Sequence, residues 1–150
     1  MRHATLRDLP VVAAMLDAFN QEFSTPTPGA AAVEARLRAL FGRDDVAVLV
    51  AAEPVAGLAL LTLRPTVWET GPAVLLEELY VRPEQRNRGL GGELLEAAVA
   101  LAAEKGATTL EINVDEEDVD AQRFYRRHGF TEIQPETGGR ALYFQRTLQR

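Results

Sequence analysis

Three arginines and three glycines crowd one short stretch of this chain: Arg82, Arg86 and Arg88, then Gly89, Gly91 and Gly92. Arginines offer charge-assisted hydrogen bonds to an anion, and glycines let its oxygens approach the backbone. The stretch stands between two apolar runs of different character. Leu75 to Val81 is β-branched or aromatic enough for a strand, and Pro83, which has no ladder donor, ends it. Glu93 to Lys105 reads as a long helix. A strand, a turn of this composition and a helix start bring free N–H groups and a positive dipole end together, which suits a phosphate. Two common phosphate motifs do not fit. A Walker loop ends in Gly-Lys-Ser/Thr, and Gly91-Gly92-Glu93 stands here. A dinucleotide fingerprint needs Gly-x-Gly-x-x-Gly after a first strand, and Gly89-x-Gly91-Gly92 has another spacing and sits mid-chain.

Two adjacent carboxylates, Glu77 and Glu78, lie on the strand itself. Either could act as a general base. Side chains alternate along a strand, so the two are expected on opposite faces. Glu78 would share a face with Leu76 and Tyr80, and Glu77 with Leu75 and Leu79, so at most one points into a cleft. An ion-paired or solvated face is an equal reading. The chain has no Cys, hence no thiolate nucleophile, disulfide or thiolate metal site. His3 and His128 form no ligand-spaced pair, and no metal is expected.

The elements that must position these residues follow from periodicity and punctuation. Residues 1 to 4 read as a short strand. Thr5 and Asp8 resemble a capping box. A helix follows from about Leu6 to Phe23, with Leu9, Val12, Ala13, Leu16, Phe19 and Phe23 on one face. A Pro/Thr/Gly break over 24–29 separates it from a second helix over Ala30 to Phe41. Val46–Ala52 and Val55–Leu63 make an antiparallel hairpin around Glu53-Pro54. Ala73 to Val81 is the strand already described. Beyond the long helix, Gly106 is a C-cap. Thr108–Val114 is then a strand parallel to Ala73–Val81, since a helix crossover joins them. Asp118 caps a helix over Val119 to Arg127. Phe130–Ile133 and Ala141–Thr147 are two last strands around a Pro135/Gly138-Gly139 loop.

Composition sets outer limits. The 150 residues suggest one domain, with 47% hydrophobic and 25% charged residues in the ordinary globular range. The net charge of −6 argues against a general nucleic-acid binder and is compatible with a small cationic substrate. No apolar run reaches the roughly 18 residues of a membrane span. Met1–Asp8 has no apolar signal core, so the cytoplasm is the expected location.

Arg86-Asn87-Arg88-Gly89-Leu90-Gly91, preceded by Leu79-Tyr80-Val81-Arg82-Pro83, resembles the acyl-CoA signature of the Gcn5-related N-acetyltransferase (GNAT) superfamily. Ala121-Gln122-Arg123-Phe124-Tyr125-Arg126-Arg127-His128-Gly129-Phe130 resembles that family's Ala-x-x-Phe-Tyr-x-x-x-Gly-Phe element. The resemblance implies one N-acetyltransferase domain over residues 1–150. It implies an α/β (mixed, α+β-like) fold: a central, mostly antiparallel mixed sheet of about six or seven strands with a splayed parallel pair, flanked by about four helices. Acetyl-CoA would be the co-substrate, held where the two parallel strands splay. Its pantetheine arm would pair along Leu79, Tyr80 and Val81. Its diphosphate would sit on backbone N–H groups of Arg86, Asn87, Arg88, Gly89, Leu90, Gly91 and Gly92. The Leu79 N–H would polarise the thioester carbonyl, and an amine would attack without an acyl-enzyme.

Tyr125 matches the family's usual general acid for the departing thiolate. A phenol, with an ordinary pKa near 10 against about 8.5 for a thiol, keeps its proton at neutral pH. The other reading is a half-buried Phe124-Tyr125 pair whose hydroxyl is merely satisfied. Glu78, working through water, is slightly preferred to Glu77 as base. The family's histone-acetylating members carry their Glu where Leu75 stands here. Asp118 stands where relatives often carry an Asn that contacts pantetheine. It keeps the capping chemistry but lacks the amide donor, and Asn113 is the candidate replacement.

Acceptor choice in such a fold comes from Phe19–Phe23, residues 24–29, Thr66–Glu69 and Gln134–Arg140. Trp68, Phe23, Glu22 and Glu69 could line a pocket for a cationic amine, or Phe19 and Phe23 are core and the acids solvated. The expected activity is acetyl transfer to a primary amine of a small molecule, polyamine or peptide. The alternatives are a non-catalytic acyl-CoA sensor of the same fold and a nucleotide-binding protein using the same turn. Dimerisation is common in such folds, and the final strands are the candidates to mediate a homodimer.

Overall fold

Largely apolar runs over 46–51, 57–63 and 73–81 build most of the sheet that carries the site. The computed structural model describes residues 1–148. They fall into two compact units, residues 1–112 and residues from 113 onward. In the first unit the order is β1 (Arg2–His3), α1 (Leu9–Glu22), α2 (Ala30–Leu40), β2 (Val46–Ala51), β3 (Gly57–Arg64), β4 (Ala73–Val81), a 3-10 turn (Pro83–Gln85), α3 (Leu90–Glu104) and β5 (Leu110–Glu111). The sheet order is β1-β2-β3-β4-β5, antiparallel except for the parallel β4–β5 pair. Val48, Val50, Leu58 and Tyr80 form a core with Leu9, Val12, Ala13 and Met15 of α1 and Leu37 of α2. Leu94, Leu95 and Ala98 of α3 are fully buried against the other side of the strands.

Helix α1 begins three residues later than its apolar period suggests. The Asp8 carboxylate reaches back, accepting hydrogen bonds from the Thr5 N–H (2.7 Å) and hydroxyl (2.9 Å). It also takes a forked pair from Arg2 (2.7 and 2.9 Å). Residues 6–8 are therefore spent on a turn. The Arg2 guanidinium first, then the Thr5 amide, holds the Asp8 carboxyl well below the usual carboxylate range. One apolar position is not core: Phe23 lies past the helix end and is exposed.

Two expectations about strands need correction. The described sheet has five strands, not six or seven. Thr108–Val114 contracts to Leu110–Glu111, which pairs only with Val74 and Leu75. The physical reason lies in β4, which bulges just beyond Leu75; a bulge bends a strand, and here the pairing with β5 stops before it while that with β3 continues. In the second unit α4 (Val119–Arg127) forms as expected, with Asp118 accepting from the Ala121 N–H at 2.9 Å. The two strands expected at Phe130–Ile133 and Ala141–Thr147 reduce to a single antiparallel bridge, Ile133 with Arg140. Pro135 withholds a donor, and the Gly138 and Gly139 turn closes on Gln134 instead. Leu142, Tyr143, Phe144 and Leu148 are all well exposed, so no buried face holds residues 141–148 in register. Among the described residues no helix is long and apolar enough to cross a membrane.

The start of β4 is pinned by a backbone contact that only glycine allows. A Cβ on Gly71 would stand 1.9 Å from the Gly106 carbonyl oxygen, at the end of α3. Gly71→Ala should therefore destabilise the protein by about 1–3 kcal/mol through overpacking. For a chain of this length that lowers the thermal midpoint by roughly 2–4 °C per kcal/mol. An unchanged melting curve would mean the contact does not constrain the fold.

Candidate active site

Strand β4 pairs with β3 in a register that skips one residue. Leu60 faces Glu78 and Leu61 faces Leu76, which leaves Glu77 as the extra residue of a β-bulge. Directly opposed residues share a face of a sheet. Leu76 therefore lies with Leu61 on one face, and Glu78 and Tyr80 lie with Leu60 and Leu58 on the other. Glu77 accepts a hydrogen bond at 2.6 Å from the hydroxyl of Thr62, two residues from Leu60 and on the same face. The expectation that the two glutamates face opposite ways is thus overturned: both emerge on the α1 side. Burial first, and the charge of Glu77 second, push the Glu78 carboxyl above its ordinary value.

The backbone of β4 beyond the bulge is set for an added chain. The Arg82 N–H donates to the Ala56 carbonyl at 2.9 Å, on the β3 side. Antiparallel strands alternate the direction of their polar groups, so Leu79 and Val81 turn their N–H and C=O away from β3. On that side β5 stops at Glu111, opposite Leu75. Among the described residues no strand pairs with Leu79 or Val81 there.

The chain then enters the glycine turn. Asn87 (φ 60°) and Gly89 (φ 85°) are left-handed, and Gly89 caps α3. Asn tolerates that conformation and Gly adopts it freely. Leu90, Gly91 and Gly92 occupy the first turn of α3, where amides have no intrahelical acceptor. Glu93 donates the first helical bond, to Gly89 at 3.0 Å. The three arginines differ. Arg88 is exposed and reaches Gln85 at 3.1 Å. Arg82 spends its Nε on the Val55 carbonyl at 3.3 Å. Arg86 donates from Nε to the Val81 carbonyl (2.9 Å) and from both Nη atoms to Glu22 (2.5 and 2.7 Å). It also lies over the Tyr80 ring, 5.4 Å from its centroid. The Glu22 carboxyl is held below its usual range, chiefly by the Arg86 hydrogen bonds. This pairing escaped the sequence reading because its partners are 64 positions apart, with no local signal.

The acceptor pocket expected from Trp68, Phe23, Glu22 and Glu69 does not assemble. Trp68 and Glu69 precede Ala73 at the start of β4 and are exposed. Glu22 accepts from the Tyr80 hydroxyl at 3.3 Å, near the strand's end. From Ala73 to Tyr80 the strand rises roughly 23 Å. Phe23 packs edge-on against Phe19 instead.

In the second unit Asp118 and Tyr125 belong to one helix, as its N-cap and a residue two turns along. Tyr125 is buried, with its ring edge-on to Phe124 (5.2 Å) and Phe130 (5.5 Å). Asn113, expected on a strand, lies in exposed irregular chain past β5. Among the described residues no group of three or more His, Cys, Asp or Glu side chains could hold a metal ion.

The family model described as "Acetyltransferase (GNAT) family" matches residues 12–130. A crystal structure of a chain from Arthrobacter sp. FB24 assigned to the acetyltransferases is 49% identical, with a TM-score of 0.90 over 98% of this chain and 94% of that one. The uncharacterized N-acetyltransferase YhfO of Bacillus subtilis (strain 168) is 27% identical over 134 residues, 88% of this chain and 89% of that one. The thialysine N-epsilon-acetyltransferase of Bos taurus is 26% identical over 96 residues, 64% of this chain and 56% of that one.

The shared face of the two glutamates has a measurable consequence. In Glu77→Gln the Glu78 titration, followed by carbon NMR, should move down toward the ordinary carboxyl value, because a like charge is gone. It should stay above that value, because burial remains. A midpoint indifferent to Glu77 would refute the placement of both side chains on one face.

Proposed function

The chain belongs to the acetyltransferase (GNAT) family, and we propose that it transfers an acetyl group from acetyl-CoA directly to a primary amine of a small molecule, polyamine or peptide. The observation that carries this reading is the edge of β4 open at Leu79 and at the Val81 N–H, which runs straight into the donor-rich turn at the start of α3. An extended amide-bearing arm suits such an edge, and a diphosphate suits the amides of Leu90, Gly91 and Gly92. Asn87 and Gly89 shape the approach, and Arg88 supplies exposed positive charge. When bound, acetyl-CoA supplies an acetyl group activated as a thioester.

The residues of this chain do the rest. The Leu79 N–H polarises the acyl carbonyl as negative charge develops on its oxygen. Glu78, with its raised pKa, takes a proton from the incoming ammonium through water; Glu77 holds its place on Thr62 and tunes Glu78 by its charge. Tyr125 gives a proton to the departing thiolate. Asp118 starts the helix that carries Tyr125. The name of the Bos taurus relative supports an amino-acid-like primary amine as acceptor, and the net charge of −6 favours a cation. The family match runs across both compact units, which supports treating the whole chain as one transferase domain. We also propose a homodimer joined through the C-terminal segment, on the strength of its exposed Leu142, Tyr143 and Phe144. A dimer mass in sedimentation equilibrium that falls to a monomer on Phe144→Ser is the expected result; a monomeric wild type rejects it.

The activity is tested by release of free CoA thiol with a panel of primary amines. Tyr125→Phe and Glu78→Gln should each lower kcat by about 100-fold, the usual scale of acid–base catalysis. The wild-type rate should rise with pH through the raised Glu78 midpoint, since the base works only when ionised, and Glu78→Gln should lose that limb. Tight acetyl-CoA binding with no turnover on any amine would favour the sensor. Preference for ATP over acetyl-CoA would reject the acetyl-CoA site.

A further inference from the structure

We propose that Glu22 and Arg86 act as one positioning unit that holds the glycine turn in its anion-binding shape, and that Arg86 is not itself a phosphate ligand. This rests on the acetyl-CoA reading above and concerns the same turn. Arg86 opens the turn and looks like its strongest anion ligand. Yet each of the three guanidinium nitrogens already donates within the protein: Nε to the Val81 carbonyl and both Nη atoms to the Glu22 carboxylate. The forked pairing is the strong geometry for these groups, and the carboxylate offsets the charge a phosphate would seek. The Tyr80 ring and hydroxyl close the cluster, at 5.4 Å from the guanidinium and 3.3 Å from Glu22. Each partner shifts so as to keep the pair charged: Glu22 is held down and Arg86 held up, each chiefly by the other.

The position of the pair explains what it does. Asn87, directly after Arg86, is left-handed, and Gly89 follows two residues later in the same region. For the non-glycine Asn87 such a conformation persists only when its surroundings over-determine it. At the far end, the Glu93–Gly89 hydrogen bond of α3 fixes the turn. At the near end, the fixing is done by Arg86, tied to the end of β4 and to the last residue of α1. Phosphate charge then falls to Arg88 and the helix amides. Glu22 also stands immediately before residues 23–29, which lead to α2. The pair thus ties the cofactor turn to the segment connecting the first two helices.

The two roles of Arg86 make opposite forecasts. Binding of CoA and of S-acetylpantetheine, which lacks the diphosphate, is measured by calorimetry for wild type, Glu22→Gln, Arg86→Gln, Arg86→Lys and the Glu22→Gln/Arg86→Gln double variant. Expected is a weakening of CoA binding of about five- to tenfold in each single variant, with the double no weaker than the worse single, the signature of coupled residues. Arg86→Lys should fail to rescue, because an ammonium cannot make the fork and the Nε bond together. S-acetylpantetheine binding should be unchanged, and KM for acetyl-CoA should rise with kcat nearly constant. Tighter CoA binding in Glu22→Gln would overturn the proposal, since it would mean a phosphate ligand had been released. Multiplying effects in the double variant, rescue by Lys, or equal weakening of both ligands would overturn it as well. A wild type that binds neither ligand would instead defeat the acetyl-CoA reading, and the wild-type measurement alone tells the two failures apart.

Discussion

Strand β4 carries one residue more than β3 can match, and most of the site follows from that surplus. Glu77 is the unmatched residue. Its insertion reverses which face the later residues occupy, so that Leu76 stays with α3 while Glu78 and Tyr80 turn toward α1. It also puts two carboxylates side by side where alternation would separate them. Past the bulge the strand leaves β5 behind, and the polar groups of Leu79 and Val81 are left without a strand partner among the described residues. An open backbone edge is a liability unless something covers it, and an extended ligand is one way to do so.

The electrostatics of the same face show how little residue type alone decides. Glu22 and Glu78 are chemically identical and lie on the same side of the sheet. Glu22 is gripped by a guanidinium and is held acidic. Glu78 is half-buried beside another carboxylate and is pushed the other way. The first is spent on structure; the second is raised above the ordinary carboxylate range, the direction that suits a base. Arg86 and Arg88 divide in the same manner. Two residues apart, one is tied inward by Glu22 and Val81, and the other is exposed.

Features carried by neighbouring residues were legible before any coordinates. The glycine turn, the 3.6-residue period of α1, the cap at Asp118 and the bounds of β4 all rest on residues within a few positions of one another, and the structure places each where its pattern indicates. Strand length was less legible. Thr108–Val114 and Ala141–Thr147 have strand-like composition, but composition states only what a segment tolerates; a strand forms where a partner edge and a buried face exist.

The amino-acid sequence by itself determined the order of elements, the fold class and the anion-suited turn, because these arise from local backbone preferences and apolar spacing. Only the tertiary structure decided the direction of the two glutamates, the capture of Arg86 by Glu22, and the separation of Trp68 and Glu69 from Glu22 and Phe23. Each of those depends on register or on contacts between distant segments. A one-residue slip in register turns every following side chain to the other face, and nothing local in Glu77 announces it.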